Sequence, residues 1–404
     1  MERFQGLLGV AAIFGLAILI SRHRSAIKWR TLGVGLVVQM AFAFLVLKWE
    51  PGFQALKWFA DQITTAIHFA DEGTKFVFGP LMSEKVGFVF ALSVLPVIIF
   101  LGALIGLLYY LRVIQLFVDI LGGAISKVMG TSKVESVWAS TVIFLGQSEA
   151  PLVIAPYLPR LTRSELFACM TGGFASVAGS TLIGYSLLGA PLPYLLAAAV
   201  MNAPGSLIIA KAIMPETEKS DLDASVRDVR DEESENAIDA LGRGALAGGK
   251  LAVIIGCLLI AFVALIAFAS AIVGGIGSWF GQPDLSLEGI FGWLFAPVAW
   301  LAGVPWSEAT QAGNFLGQKT VLNEFVAYSN FGPQVPNLDP KTVLVTTFAL
   351  AGFANFASIA IQIGSLGSLV PERRGQVAQL GMLALLGGSL TNLLNASIVG
   401  IIAS

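Results

Sequence analysis

Two carboxylates stand in otherwise apolar stretches of this chain, and their neighbours suggest what they could do. Glu149 lies in Gly146-Gln147-Ser148-Glu149-Ala150-Pro151. Gln147 offers a donor and an acceptor, Ser148 offers both through one atom, and Glu149 accepts when ionised. Three adjacent polar groups in a turn can satisfy a polar ligand that is otherwise costly to desolvate. The structural alternative is a capped turn, with Glu149 on backbone amides at a helix start. Glu324 lies in Lys319-Thr320-Val321-Leu322-Asn323-Glu324-Phe325. Its carboxylate can accept two hydroxyls side by side, which suits a vicinal diol, or it can face a cation. An ion pair with Lys319 competes with that reading, unless Lys319 reaches toward a membrane edge instead.

The elements that must position these groups are repeated. Gly173-Phe174-Ala175-Ser176-Val177-Ala178 returns as Gly352-Phe353-Ala354-Asn355-Phe356-Ala357, and each copy follows an acidic turn at a similar distance. Duplicated, glycine-interrupted apolar segments with polar groups in matching slots are the sign of a transporter that binds substrate between two repeats. Asn355 occupies the slot of Ser176, with Ser358 close behind it. Hydrogen bonding between helices is the competing use of such residues, and close packing that of the glycines. Asn392 and Asn395 are read as packing groups with no assigned role.

Composition sets the solvent. The chain is 56% hydrophobic and 12% charged, with a mean hydropathy of +0.79, far below the charge content of soluble domains. Lipid leaves such a backbone only helices, so an all-α polytopic membrane protein is expected. The spans fall at 5–21, 31–48, 88–110, 166–188, 193–213, 249–272, 343–368 and 376–402. Two broken stretches, 130–160 and 305–332, read as re-entrant hairpins. Residues 51–72 read as an interfacial helix. Arg22, Arg24, Lys28 and Arg30 follow the first span, which places the N-terminus outside and the first hairpin on the inner side. The polar stretch 217–245 reads as a solvated linker. Cys169 and Cys257 read as buried small hydrophobes. A net charge of −2 gives no reason to expect a nucleic-acid partner. No Ser-His-Asp, Cys-His or metal-ligand set is present, so an enzyme is not expected.

At these residues the chain resembles the concentrative nucleoside transporters, close to their bacterial members, over essentially its whole length. The motifs that carry the resemblance are Gly146 to Leu152, Val321 to Tyr328, and Gly352-Phe353-Ala354-Asn355 with Ser358. The resemblance implies a homotrimer, with eight transmembrane helices, an interfacial helix and two re-entrant hairpins per protomer. An inverted repeat would move as an elevator. It implies scaffold helices 1–3 and the interfacial helix in 1–110, and hairpin 1 with helices 4–5 in 111–215. A polar cytoplasmic linker would follow in 216–248, scaffold helix 6 in 249–280, and hairpin 2 with helices 7–8 in 281–404. Gln147, Ser148 and Glu149 would hold the nucleobase, with Thr181 beside it. Glu324, Asn355 and Ser358 would hold the ribose, with Phe353 lining the site. Nucleosides such as uridine, cytidine or adenosine would be the substrates and a bacterial inner membrane the setting. No cofactor is implied beyond a coupling ion, H+ or Na+.

Two departures bear on coupling and selectivity. Sodium-coupled members carry an Asn five residues before the hairpin Gln, where this chain has Val142. Ser176 and the carbonyls of Leu145 and Val177 remain, a poor set for a hard cation that prefers oxygens. Proton coupling is therefore favoured over sodium, with Glu149 and Glu324 as candidate carriers, because burial favours the neutral carboxyl. Sodium-coupled symport and a passive facilitator are the alternatives. Thr181 stands where a bacterial relative has an apolar residue beside the base, and the effect of that hydroxyl on base preference has no derivable direction.

Overall fold

The computed structural model describes residues 2–82, 89–219, 231, 234–282 and 285–403. Its regular elements are helical, with no strand among the described residues. In the first part of the chain run α1 (Glu2–Leu19), α2 (Trp29–Leu47), α3 (Glu50–Phe78), α4 (Phe90–Ser93), α5 (Leu95–Tyr110) and α6 (Val113–Met129). The first hairpin and broken helix are α7 (Lys133–Thr141), α8 (Ala150–Val153), α9 (Arg163–Ala175) and α10 (Gly179–Leu187). Then come α11 (Leu192–Ile213), α12 (Ala237–Trp279) and α13 (Leu287–Ala302). The second hairpin and broken helix are α14 (Trp306–Val321), α15 (Glu324–Phe331), α16 (Pro340–Leu350) and α17 (Phe356–Leu369), and α18 (Arg374–Ala403) closes the chain.

Among the described residues, six segments are long and apolar enough to cross a bilayer: Trp29–Leu47, Phe90–Tyr110, Arg163–Leu187, Leu192–Ile213, Ala237–Trp279 and Pro371–Ala403. The expected span at 343–368 is instead two short helices, α16 and α17, separated at 351–355. The expected span at 166–188 is also broken, at 176–178. Both breaks fall inside the repeated motif, where small residues and a polar side chain replace the apolar run.

Capping explains where several of these helices start. Ser132 and Glu135 form a reciprocal capping box at α7, and Thr162 and Glu165 form another at α9. Each box satisfies orphan amides that a buried helix end cannot leave to water.

Packing gathers the elements around two centres, α18 and the pair α5 and α12. α18 lies at the centre and touches α1, α2, α9, α11, α16 and α17. α1 packs on α18, and α2 packs on α11 and α18. α5 packs chiefly along α12. The reason is a stripe of glycines. A Cβ on Gly102 would lie 2.5 Å from the carbonyl oxygen of Gly244, and one on Gly248 would lie 2.6 Å from that of Ile98. Only hydrogen at these positions lets two backbones approach so closely.

Other boundaries shift as well. α12 begins at Ala237, so the expected linker 216–248 ends in helix, and Gly244 and Gly248 are part of the α5 contact. Residues 220–230 and 232–233 of that linker lie outside the described residues. The helix expected at 51–72 runs on to Phe78. Two helices were not foreseen, α6 and α13. α13 meets α14, the first arm of the second hairpin, at 114°. Cys169 is buried as expected, but Cys257 is exposed on α12, a helix whose apolar face has few partners within the chain.

Candidate functional site

The site forms where the two hairpin tips meet the two broken helices. α9 stops at Ala175 because the chain turns extended at Ser176 (φ −84°, ψ 165°). α16 stops at Leu350, and Asn355 is extended (φ −138°, ψ 163°) before α17. The two breaks cross each other. The Phe353 amide donates to the Ser176 carbonyl at 3.1 Å. Nearby, the Asn392 Nδ2 on α18 donates to the carbonyls of both Ala175 and Ala351, each at 2.9 Å. One side chain thus satisfies a carbonyl at the end of each half-helix, groups that no intrahelical amide can reach. Gly352 fits this crossing because a Cβ there would lie 2.6 Å from the Ala175 oxygen and collide with the Asn392 amide.

Asn392 does not stand alone. Asn202 Nδ2 donates to the Ala351 carbonyl at 2.9 Å, and Asn202 Oδ1 accepts from Asn392 at 3.0 Å and from Asn395 at 2.7 Å. Gln39 on α2 donates to Asn395 Oδ1. Lys319 completes the cluster. It neither pairs with Glu324 nor reaches outward. It is 3% exposed, and its Nζ donates to Ala349 O and Asn392 Oδ1, both at 2.7 Å. An ammonium at the carbonyl end of α16 also complements the helix dipole.

Glu324 is the first residue of α15, and Asn323 caps that helix by accepting from the Val326 amide at 2.9 Å. The Glu324 carboxylate is 4% exposed. Its Oε1 accepts from the Tyr185 hydroxyl at 3.1 Å and its Oε2 from Asn355 Nδ2 at 2.8 Å. Asn355 Oδ1 meanwhile caps α17 through the Ser358 amide at 2.9 Å. Asn355 is therefore fixed at both ends of its amide, and it fixes one oxygen of Glu324. Tyr185, on α10, supplies the other contact.

Gln147 is buried between the hairpin and α17. Its Nε2 donates to Ser358 Oγ at 3.0 Å, and its Oε1 accepts from Gln362 Nε2 at 3.1 Å. The expected base-reading and ribose-reading groups thus touch each other at Gln147 and Ser358. Ser148 and Glu149 are exposed at the tip, and Phe353 is half-buried. Thr181 is buried, and its hydroxyl donates to the Ala178 carbonyl at 2.7 Å.

Val142, Leu145, Ser176 and Val177 are all buried. Ser176 Oγ donates to Gly173 O at 3.0 Å and keeps its lone pairs free to face a cation. With the carbonyls of Leu145 and Val177 this makes three candidate oxygens, and Val142 adds none. The set is incomplete for a hard cation. Among the described residues no group of three or more His, Cys, Asp or Glu side chains is placed to hold a metal ion.

Tyr185, Asn202 and Gln362 were not singled out from the sequence, and Lys319 was weighed only as a partner of Glu324 or as a group reaching a membrane edge. The signal for the asparagines was present in their type. Amides at the middle of apolar spans need partners, and Asn202, Asn392 and Asn395 answer one another. Tyr185 gave no such signal, because an aromatic residue in an apolar helix looks like packing.

Comparison with known proteins places the geometry in a family. Residues 8–81 match the N-terminal domain of the Na+ dependent nucleoside transporters, 91–192 match the nucleoside recognition Gate domain, and 194–400 match the transporters' C-terminal domain. The chain is 52% identical to the uncharacterized transporter YutK of Bacillus subtilis, over 99% of each chain. It is 43% identical to the nucleoside permease NupC of Helicobacter pylori, over 98% of this chain and 96% of the relative. Among solved structures, CNTnw in an inward-facing substrate-bound state superposes with a TM-score of 0.96 at 47% identity, over 100% of this chain and 98% of that one. A CNTnw variant in an outward-facing state gives a TM-score of 0.95 at 46% identity, again over 100% and 98%. These relatives are transporters and permeases, not enzymes. The chain belongs to the concentrative nucleoside transporter family.

Proposed function

We propose that this protein is a cation-coupled symporter that imports nucleosides across a bacterial inner membrane, with protons favoured over sodium. The observation that carries the reading is the meeting of the two hairpins with the two broken helices through Gln147–Ser358 and Glu324–Asn355. Gln147, Ser148, Glu149 and Thr181 take the nucleobase. Glu324, Asn355, Ser358 and Phe353 take the ribose. The buried carboxylate of Glu324 has accepted one bond on each oxygen and keeps a further lone pair on each, which suits two adjacent hydroxyls.

The packing supports an elevator in which the bundle around α18 moves against a static pair, α5 and α12. The bundle carries both hairpins, while α5 and α12 hold each other through their glycine stripe. We further propose eight membrane crossings, with the broken pairs α9–α10 and α16–α17 each making one, and a homotrimer. Native mass spectrometry of the detergent-solubilised protein checks that assembly.

Proton coupling rests on Val142, which is 1% exposed and offers no oxygen beside Leu145 and Val177. Sodium coupling is the second reading. Ser176 and the carbonyls of Leu145 and Val177 remain as candidate ligands, and the matched family is described as Na+ dependent. Uptake of radiolabelled uridine into proteoliposomes separates the two. Accumulation under an inward proton gradient without sodium is the expected result. Accumulation with a sodium gradient alone would establish the second reading, and none with either would sink both.

A further inference from the structure

We propose that Tyr185 is a positioning residue for sugar recognition: it holds Glu324 in the orientation that reads both ribose hydroxyls. The proposal rests on the reading of Glu324 as the ribose acceptor.

The Tyr185 ring is wholly buried and lies in a cluster that fixes its hydroxyl. It stacks on Tyr328 with centroids 4.4 Å apart at 19°, and meets Phe325 edge-on at 4.7 Å and 67°. Both partners belong to α15, the helix that starts with Glu324. Tyr328 is itself anchored, since its hydroxyl donates to the Thr347 carbonyl on α16 at 2.8 Å. Tyr185 therefore reaches from the broken helix of the first repeat into the hairpin tip of the second, and touches the carboxylate there at 3.1 Å.

The hydroxyl does more than fill space. A carboxylate on a flexible side chain can turn about its last torsion, which is broad and roughly two-fold. Asn355 alone pins one oxygen and leaves the other free to swing. Tyr185 pins the second, so the plane of the carboxylate is set before substrate arrives. The lone pairs left over then point in fixed directions, one from each oxygen. A vicinal diol needs both in register. A sugar that lacks one hydroxyl needs only one, and gains less from the fixed plane. Tyr185 should thus act on discrimination between ribose and deoxyribose and not on affinity alone.

The experiment compares uridine with 2′-deoxyuridine and 3′-deoxyuridine in Tyr185→Phe, which keeps the stacked ring. The expected result is a rise of about tenfold in KM for uridine, the scale of one hydrogen bond to a charged group. The KM of each deoxynucleoside should rise less than about threefold, and kcat for uridine should stay within about twofold of wild type, because the loss is in bound orientation. Equal rises for all three nucleosides, or no rise for uridine, would overturn the proposal. Tyr328→Phe serves as the packing control, since its hydroxyl bonds only a backbone carbonyl. If it erased the discrimination as fully as Tyr185→Phe, packing and not the Glu324 contact would be the cause. Glu324→Gln is measured alongside, by ligand-induced thermal shift if turnover is lost. Discrimination that survives in Glu324→Gln would sink the ribose reading itself. Discrimination lost there but intact in Tyr185→Phe would sink this proposal alone.

Discussion

The two hairpins repeat one design but finish it differently. The first has a long non-helical tip, residues 142–149, with Ser148 and Glu149 exposed and no side-chain cap from Glu149 on α8. The second turns in two residues, Leu322 and Asn323, and its carboxylate is buried and bonded on both oxygens. The broken helices differ in the same sense. α17 is capped by Asn355, whereas α10 follows Ala178 with no side-chain cap. The second repeat therefore sets its carboxylate before a ligand arrives, whereas the first fixes Gln147 on α17 and leaves Ser148 and Glu149 exposed at the tip. A rigid half suits a group that every substrate shares, as the ribose is shared by nucleosides. A looser half suits a group that varies, as the base does.

Removing the fixed charge tests the rigid half most severely. Glu324→Gln should raise the KM for uridine in counterflow by about a hundredfold, because hydrogen bonds to a charged acceptor are worth roughly 1.5–3 kcal/mol each. The equivalent change in the looser half, Glu149→Gln, should cost less affinity. It should also flatten the dependence of uptake on an imposed proton gradient if Glu149 carries the proton. A full gradient response in Glu149→Gln would move the carrier role to Glu324.

Asn392 serves both halves at once and so blurs the contrast. Asn392→Leu would leave the Ala175 carbonyl and one N–H of Lys319 unmatched, and would leave the Ala351 carbonyl with Asn202 as its donor. Each buried orphan costs roughly 1–3 kcal/mol, so about 3 kcal/mol of stability should be lost, visible as a lower melting temperature in detergent. A variant as stable as wild type would show that Lys319 and Asn202 hold the crossing without it.

The sequence foretold the membrane class, the breaks in the stretches 130–160 and 305–332 and the two polar slots at Ser176 and Asn355. These are local properties, written in hydropathy and in a repeated motif. It foretold less well what depends on contact between distant segments. The Lys319 partners were misjudged because helical spacing suggests only near neighbours, and the true acceptors lie on α16 and α18. The start of α12 was placed late because charged residues at 237–248 hide the glycines that pack on α5. α1 and α2 pack on α18 and α11, partners that order along the chain does not reveal. Tyr185 was overlooked because its polar atom acts only through Glu324, far away in sequence.

The first half can be sharpened by adding what it lacks. Val142→Asn would supply an amide oxygen near Leu145 and Val177, beside the free lone pairs of Ser176. Sodium should then stimulate uridine uptake at neutral pH by several-fold, since a hard cation gains from each added oxygen. No sodium response would mean that these oxygens do not converge on one ion.

The smallest effect is expected at Thr181. Its hydroxyl spends its proton on the Ala178 carbonyl at 2.7 Å, as threonines in helices commonly do. Only lone pairs remain to face a ligand, so the residue can accept from a base but not donate to one. An exocyclic amino group, as in cytidine or adenosine, can use such an acceptor, and the carbonyl at the same position of uridine cannot. Thr181→Val should therefore shift competition toward uridine over cytidine, by less than about threefold, the low end for a single neutral hydrogen bond. Competition unchanged within error would take Thr181 out of base recognition. It would leave the looseness of the first hairpin as the whole account of how the base is accommodated.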